Sequence, residues 1–360
     1  MTWGEEPSRN RVGAMGSFAA LSGGEAATWP AALAGDRDAF ARVVARYRRE
    51  LEVHCYRMLG SVEDAEDVVQ ETLLRAWRRR ETFQGRATIR AWLYGIATNA
   101  CLDALGSRPR RLLPPAVTPS ADPLVAPLPA SEVGWLEPYP DRLLDEIVDA
   151  EDGPHEAIVA RETIELAFLV AIQHLPPRQR AVLILRDVLG WSARETAAIV
   201  DTTVVAGNSA LQRARETLRE HLPDQRSQWR RADTPDADER SLLERYMEAW
   251  DRTDVDGLVA LLADDARVSM PPTPAWYAGR EAIGVFLARL PLAPSAPRHI
   301  HVPTRANRHP AFAVFLAGEP GTPPRPFALE VLRISGGLIA EIDIFLQPEL
   351  VERFAVTPPT

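Results

Sequence analysis

The residues with the most chemistry to offer are carboxylates set at helical spacing. Asp64, Asp67 and Glu71 recur at three- and four-residue steps in SVEDAEDVVQETLLRAW (61–77), and Arg75 continues the row. That spacing places them on one helical face, where two readings fit. The face is a solvated row of i,i+4 pairs on a bundle helix, or it has a function that only the surrounding segments can specify. Every cation among the 41 Lys and Arg residues is arginine, so any phosphate contact is an arginine contact. Cys55 and Cys101 have no metal-type spacing and read as buried thiols in a reducing compartment.

These groups need elements to hold them. Ser61, with Asp64 three residues on, opens a helix in a capping-box arrangement. Ala65, Val68, Val69, Thr72, Leu73 and Ala76 recur at helical spacing as its buried stripe. Before it, Phe40 to Leu59 keep a 3.6-type period that ends at Gly60, a C-cap residue. After it, IRAWLYGIATNACLDALGSR forms another helix, which makes 33–111 an all-helical domain. Residues 1–32, rich in Gly, Ser, Ala and Pro, read as a disordered leader. Residues 112–155 are proline-rich and acidic and read as a linker; if flexible, it averages roughly 35–40 Å end to end.

Helical pattern resumes over 156–222. Ser192-Ala-Arg-Glu195 is a capping box opening a short helix, and a tight connection at Asp201-Thr202 leads to a longer one, Thr203–His221. Two helices so joined form a helix-turn-helix pattern, which serves DNA binding and also occurs in plain helical hairpins. Residues 223–237 read as a second linker. Residues 238–352 begin with helices and end in strands, near Arg267–Met270, Arg298–Arg305, Ala311–Leu316, Phe327–Ile334 and Leu338–Phe345, the pattern of an α+β domain.

The net charge of −9 gives no global sign of nucleic-acid binding, but the charge is segmental. Residues 36–111 hold 15 Arg against 11 acids, net +4, while 112–157 hold one Arg against 10 acids, net −9. The apolar runs are too short for a membrane span, and the start lacks a secretory signal pattern, so a cytoplasmic location is expected.

HCYRMLGS (54–61), EDAEDVVQETLLRAW (63–77), AWLYGIATNACLD (91–103) and SALQRAR (209–215) resemble, in order, the motifs of extracytoplasmic-function sigma factors of bacterial RNA polymerase. ERYMEAWDRTDVDGLVALLADDARV (244–268) through EIDIFLQP (341–348) is similar to SnoaL-like or NTF2-like domains. The resemblance implies a multidomain protein: two all-α sigma domains, the second with the helix-turn-helix, and then an α+β domain of the NTF2 type.

It also implies roles. Asp64, Asp67, Gln70, Glu71 and Leu74 would dock on the clamp of the largest polymerase subunit, with Trp77 as core. Arg86, Arg90, Arg108, Arg110 and Arg111 would hold phosphates around a single-stranded −10 element, and Tyr94 and Asn99 would meet its bases. Trp92 is expected in the core, and Asn99 and Asp103 also read as a local helix pair. Thr202, Thr203, Val205, Asn208, Ser209, Gln212, Arg213 and Arg215 would face the −35 element in the major groove. Gly207, inside that helix, should cost about 1 kcal/mol of helix stability relative to Ala. In the C-terminal domain, Met270, Trp276, Tyr277, His299, Asp343 and Phe345 are the candidate pocket, with His301 a further polar group.

The resulting expectation is an initiation factor that binds core polymerase and promoter DNA. It has no active site, metal or cofactor, and its C-terminal domain modulates its activity, with or without a small-molecule ligand. An anti-sigma partner is not determined. The alternatives are a stand-alone helix-turn-helix regulator with a ligand-binding domain, or a SnoaL-type isomerase or cyclase fused to DNA-binding helices. The first helical domain has no use in a simple regulator.

Overall fold

The computed structural model describes residues 23–85, 87–106, 110–127, 129–130, 134–148, 165–221, 237–319 and 321–358. The first unit is built on α2 (Arg37–Leu59), α3 (Val62–Arg78) and α4 (Ile89–Leu105), preceded by α1 (Gly23–Leu33). Asp36 caps α2 by accepting from the amides of Asp38 and Ala39. Gly60 ends α2 at φ 74°, a left-handed conformation that favours glycine. A Cβ there would also sit 2.8 Å from Leu136, so close approach by a later segment reinforces the need for glycine.

Two expectations are corrected at this level. The leader reading fails over residues 23–32, which belong to α1; Trp29 is fully buried in an aromatic cluster with Phe40, Phe83 and Trp92. Composition averages over a window, whereas one tryptophan supplies enough apolar area to dock a short helix. Residues 1–22 lie outside the described residues. The linker reading also changes, because the described parts of 112–148 are packed rather than loose. Leu136 and Tyr139 are buried, Trp135 bridges to Leu112, and Asp141–Val148 forms α5 with Leu143 and Leu144 inside. Glu137 accepts from the amide of Val62 and so helps cap α3, while its own amide donates to the Gly60 carbonyl.

The second helical unit comprises α6 (Leu166–Gln173), α7 (Pro177–Leu183, running on into a wider turn through Val188), α8 (Ala193–Ile199) and α9 (Val204–His221). The Ser192–Glu195 capping box is present in both directions. Residues 149–164, including the expected start of this unit, lie outside the described set, as do residues 223–236 of the expected second linker.

The third unit has α10 (Ala237–Asp251), α11 (Val255–Ala260), α12 (Arg280–Arg289) and α13 (Pro348–Arg353) around a six-stranded sheet. The strands are β1 (Leu262–Ser269), β2 (Trp276–Ala278), β3 (His299–Ala306), β4 (His309–Leu316), β5 (Arg325–Ser335) and β6 (Leu338–Phe345), in the order β2-β1-β6-β5-β4-β3. All neighbours are antiparallel except β1 and β6. Strand alternation gives the sheet two apolar faces. Phe312, Val314, Leu332 and Ile342 pack under α10–α12. Ala313, Phe315, Leu329, Val331 and Phe345 join a second cluster that runs without a break into both helical units.

Candidate nucleic-acid and docking surfaces

On α3 the buried stripe falls as the spacing requires, with Ala65, Val68, Val69, Thr72 and Ala76 inside. Asp67 and Gln70 are exposed on the opposite side, and Leu74 is 51% exposed. Glu71 accepts from Arg75 at 2.7 Å, and Arg75 also reaches Asp103 at 2.9 Å. Trp77 lies edge-on to Phe40, in the core as expected. Asp64 departs from the expected face. Its carboxylate takes Arg111 at 2.7 Å and its side chain is only 13% exposed. Arg111 is held further by the Trp135 carbonyl and Glu137, so both residues are tied to the packed linker rather than offered to a partner.

The expected −10 track is also partly engaged. Arg86 and Arg108 lie outside the described residues, and Arg110 is exposed. Arg90 pairs with Glu50 at 2.8 Å. Tyr94 cannot meet a base here: it is buried against His54 and Trp191, with its hydroxyl donating to Glu50 at 3.2 Å. Asn99 is exposed, and its side-chain amide donates to the Ile199 carbonyl at the end of α8. Trp92 packs edge-on to Trp29, which bears out its core reading.

The second unit rests directly on the first. Arg180 is buried, and its guanidinium donates to the carbonyls of Ile172 and Gln173, to the Gln173 side chain, and to the Met58 carbonyl in the last turn of α2. Burial pushes its pKa down to about 9, yet it keeps its charge at neutral pH beside the negative end of the α2 dipole. No periodicity marks an arginine as buried, so sequence reading passed over Arg180.

On α9, Gly207, Leu211, Ala214 and Leu218 face inward. Val205, Asn208, Ser209, Gln212 and Arg213 are exposed, as is Thr203, whose hydroxyl caps the Ala206 amide at 3.1 Å. Thr202 is half-buried beneath the helix start. Arg215 differs from expectation, since Asp187 holds it through two contacts of 2.6 and 2.8 Å on its own scaffold. A Cβ on Gly207 would meet Thr202 at 3.7 Å, an ordinary contact.

The candidate pocket of the third unit divides across the sheet. Met270 and Tyr277 belong to the helix-covered face, and His299 approaches Trp250 and Phe327 there. Trp276, Asp343 and Phe345 lie on the other face, by strand parity and by their contacts. Trp276 donates to the Thr118 carbonyl of the linker, and Asp343 accepts from Ser269 at 2.6 Å. The six residues therefore form no single pocket. Burial, reinforced by the Glu341 carboxylate, pushes Asp343 up to about 7.

A polar cluster the sequence reading did not assemble lies inside the helix-covered face. Tyr246 donates to Glu330 at 3.0 Å, and His301 Nε2 lies 3.3 Å from the same carboxylate beside Trp250. Glu330 occupies an inward position of β5, and the alternation of that strand was the signal for it. Elsewhere a cleft of about 440 Å³ opens between α5, α10 and the β3–β4 edge, lined by Asp141, Leu243, Pro303, Arg305, Pro310 and Phe354.

The outer sheet face and α13 meet the first unit. Asn307, fully buried, accepts from the Tyr139 amide at 2.7 Å and donates to the Tyr56 hydroxyl at 3.1 Å. Arg353 of α13 pairs with Glu66 of α3 at 2.8 Å. Among the described residues no helix is long and apolar enough to cross a membrane.

Comparison with known proteins places three family matches along the chain: Sigma-70 region 2 over residues 43–111, Sigma-70 region 4 over 165–218, and a SnoaL-like domain over 243–342. The ECF RNA polymerase sigma factor SigG of Mycobacterium tuberculosis is 43% identical over 311 residues, covering 86% of this chain and 82% of that protein. The ECF RNA polymerase sigma factor SigW of Bacillus subtilis is 32% identical over 190 residues, 53% of this chain and 92% of its own length. In fold, the chain is similar to the crystal structure of the Mycobacterium tuberculosis extracytoplasmic function sigma factor SigJ, with a TM-score of 0.50 at 21% identity, over 86% of this chain and 96% of that one.

Proposed function

Because the chain belongs to the extracytoplasmic-function RNA polymerase sigma factors, we propose that it works through two binding surfaces whose availability its C-terminal domain controls. The protein binds core RNA polymerase and promoter DNA and directs promoter-specific initiation. The family works by binding rather than by turnover, and we assign no reaction to the C-terminal domain.

The polymerase dock is the row Asp67, Gln70, Glu71 and Leu74 on α3, supported by its exposure and its acidic character. Asp64 orients the linker instead. The −35 reader is the exposed face of α9. The −10 surface lies on α4 and the segments flanking it. We divide the chain into region 2 with α1 in front, a packed linker, region 4 and the SnoaL-like domain.

The observation that carries the regulatory part is the direct seating of region 4 on region 2. Arg180 reaches Met58, Asn99 reaches Ile199, and the Tyr94 ring packs tilted against Trp191. Two promoter elements about 25 base pairs apart lie about 85 Å apart along B-DNA, at about 3.4 Å per step. Regions packed against each other do not span that distance, so this arrangement has to open on the promoter. The SnoaL-like domain, fastened to region 2 through Asn307 and Arg353, favours the closed arrangement. A small ligand in the cleft beside α5 would act on that fastening.

In vitro transcription with purified core polymerase tests this. The full chain should direct initiation from a defined promoter, and a chain ending near Arg231 should do so with altered dependence on polymerase concentration. Failure of both forms to initiate specifically would reject the sigma assignment. Equal activity of the two forms at every concentration would remove the regulatory role of the third domain.

A further inference from the structure

Val205 is 77% exposed on α9, the highest exposure among the large hydrophobic side chains of the described residues. It is not at the edge of the buried stripe. At about 100° per residue, Val205, Asn208, Ser209 and Gln212 fall within one narrow arc, on the side away from Gly207, Leu211, Ala214 and Leu218. The Thr203 cap fixes the helix start immediately before it. A β-branched side chain on a helix is held in one dominant rotamer, so the valine methyls stand at a defined place. Among the described residues, neither the linker nor the third domain covers this face, although region 4 is seated on region 2.

We propose that Val205 reads the C5-methyl group of a thymine in the −35 element; this rests on the reading of α9 as the promoter-facing helix. Among base edges in the major groove, only thymine offers an apolar group. The polar neighbours agree with an A·T-directed surface. Asn208 and Gln212 carry carboxamides, which suit the N6–N7 edge of adenine. The first two turns, Val204–Leu211, contain no arginine, the usual reader of guanine, and Arg215 is held by Asp187. Val205 is thus a specificity residue of one base-pair step, with Asn208 the adenine reader beside it.

The test uses the full chain assembled with core RNA polymerase and a promoter library randomised over the −35 element. One position should select thymine. Replacing that thymine by uracil removes the single methyl and should weaken holoenzyme binding about four-fold, equivalent to about 0.8 kcal/mol for one buried methyl-sized group. Val205→Ala should weaken binding to the thymine template by a similar factor. It should make thymine and uracil equivalent there and leave preferences at every other position intact. Val205→Ile should retain the thymine preference. If Val205→Ala keeps the parent's thymine-to-uracil ratio, or lowers binding uniformly at all positions, the methyl contact is wrong. If the holoenzyme selects an upstream sequence that neither Val205→Ala nor Asn208→Ala alters, α9 is not the reader, and the wider assignment of this helix falls with it.

Discussion

The difference between Asp64 and Asp67 shows what a single side chain contributes here. Both are acids on α3 three residues apart, yet one is tied to Arg111 and the other is open. Charge reversal of Asp67 and Glu71 should weaken core-polymerase binding while leaving the melting temperature nearly unchanged, as read by pull-down and thermal unfolding. Asp64→Ala should do the reverse. It removes one of the partners of Arg111, which keeps Glu137 and the Trp135 carbonyl, and should cost about 1.5–3 kcal/mol of stability, the usual scale for a hydrogen bond to a charged group.

Two other residues set opposite responses to pH. Burial lowers His54 to about 3, so the unfolded chain binds its proton first; stability is full above about pH 6.5 and falls as pH drops below it. By pH 5 the loss is on the order of 2 kcal/mol. Asp343 is raised to about 7, so the folded state binds the proton first, and stability falls as pH rises from about 4 to 7. Asp343→Asn, which still accepts from Ser269, should therefore stabilise the third domain at pH 8 and not at pH 4. Denaturant unfolding at the two pH values measures this.

At the scale of elements, two glycines on helices should behave oppositely. Gly207→Ala meets only an ordinary contact and removes the flexibility of a mid-helix glycine, so it should stabilise α9 by about 1 kcal/mol. Gly60→Ala forces a left-handed alanine onto Leu136 and should destabilise by at least about 1–2 kcal/mol, the conformational cost alone. Thermal unfolding of the two variants gives the signs. The glycine inside α9 thus weakens the helix only through propensity, and the helix remains set by its Leu211–Leu218 stripe and its Thr203 cap.

For the whole molecule, the decisive contacts are those that join units distant in sequence. Asn307 sits between Tyr139 and Tyr56, so linker, third domain and region 2 share one buried carboxamide. Asn307→Ala leaves the Tyr139 amide unpaired inside the protein, where such a group costs about 1–3 kcal/mol. We expect this variant to loosen the third domain from region 2, increasing proteolysis between residues 112 and 140 while the isolated folds persist.

The sequence alone determined the helical units, the helix-turn-helix, the α+β character of the third unit and the sigma-factor assignment. Each rests on local periodicity, capping residues or ordered motifs. The capping box at Ser192–Glu195, the C-cap at Gly60 and the buried stripe of α3 all fall where spacing placed them. Tertiary structure decided what those patterns do not encode. Strand parity together with pairing separated Asp343 and Phe345 from His299, and a single buried tryptophan converted part of a low-complexity leader into α1. Asp64, Arg111, Tyr94 and Arg215 looked available because their partners, respectively Arg111, Glu137, Trp191 and Asp187, come from other elements. A helical face shows which side chains point outward from that helix. Whether solvent, DNA or another part of the same chain meets them depends on long-range packing, which has no period to read.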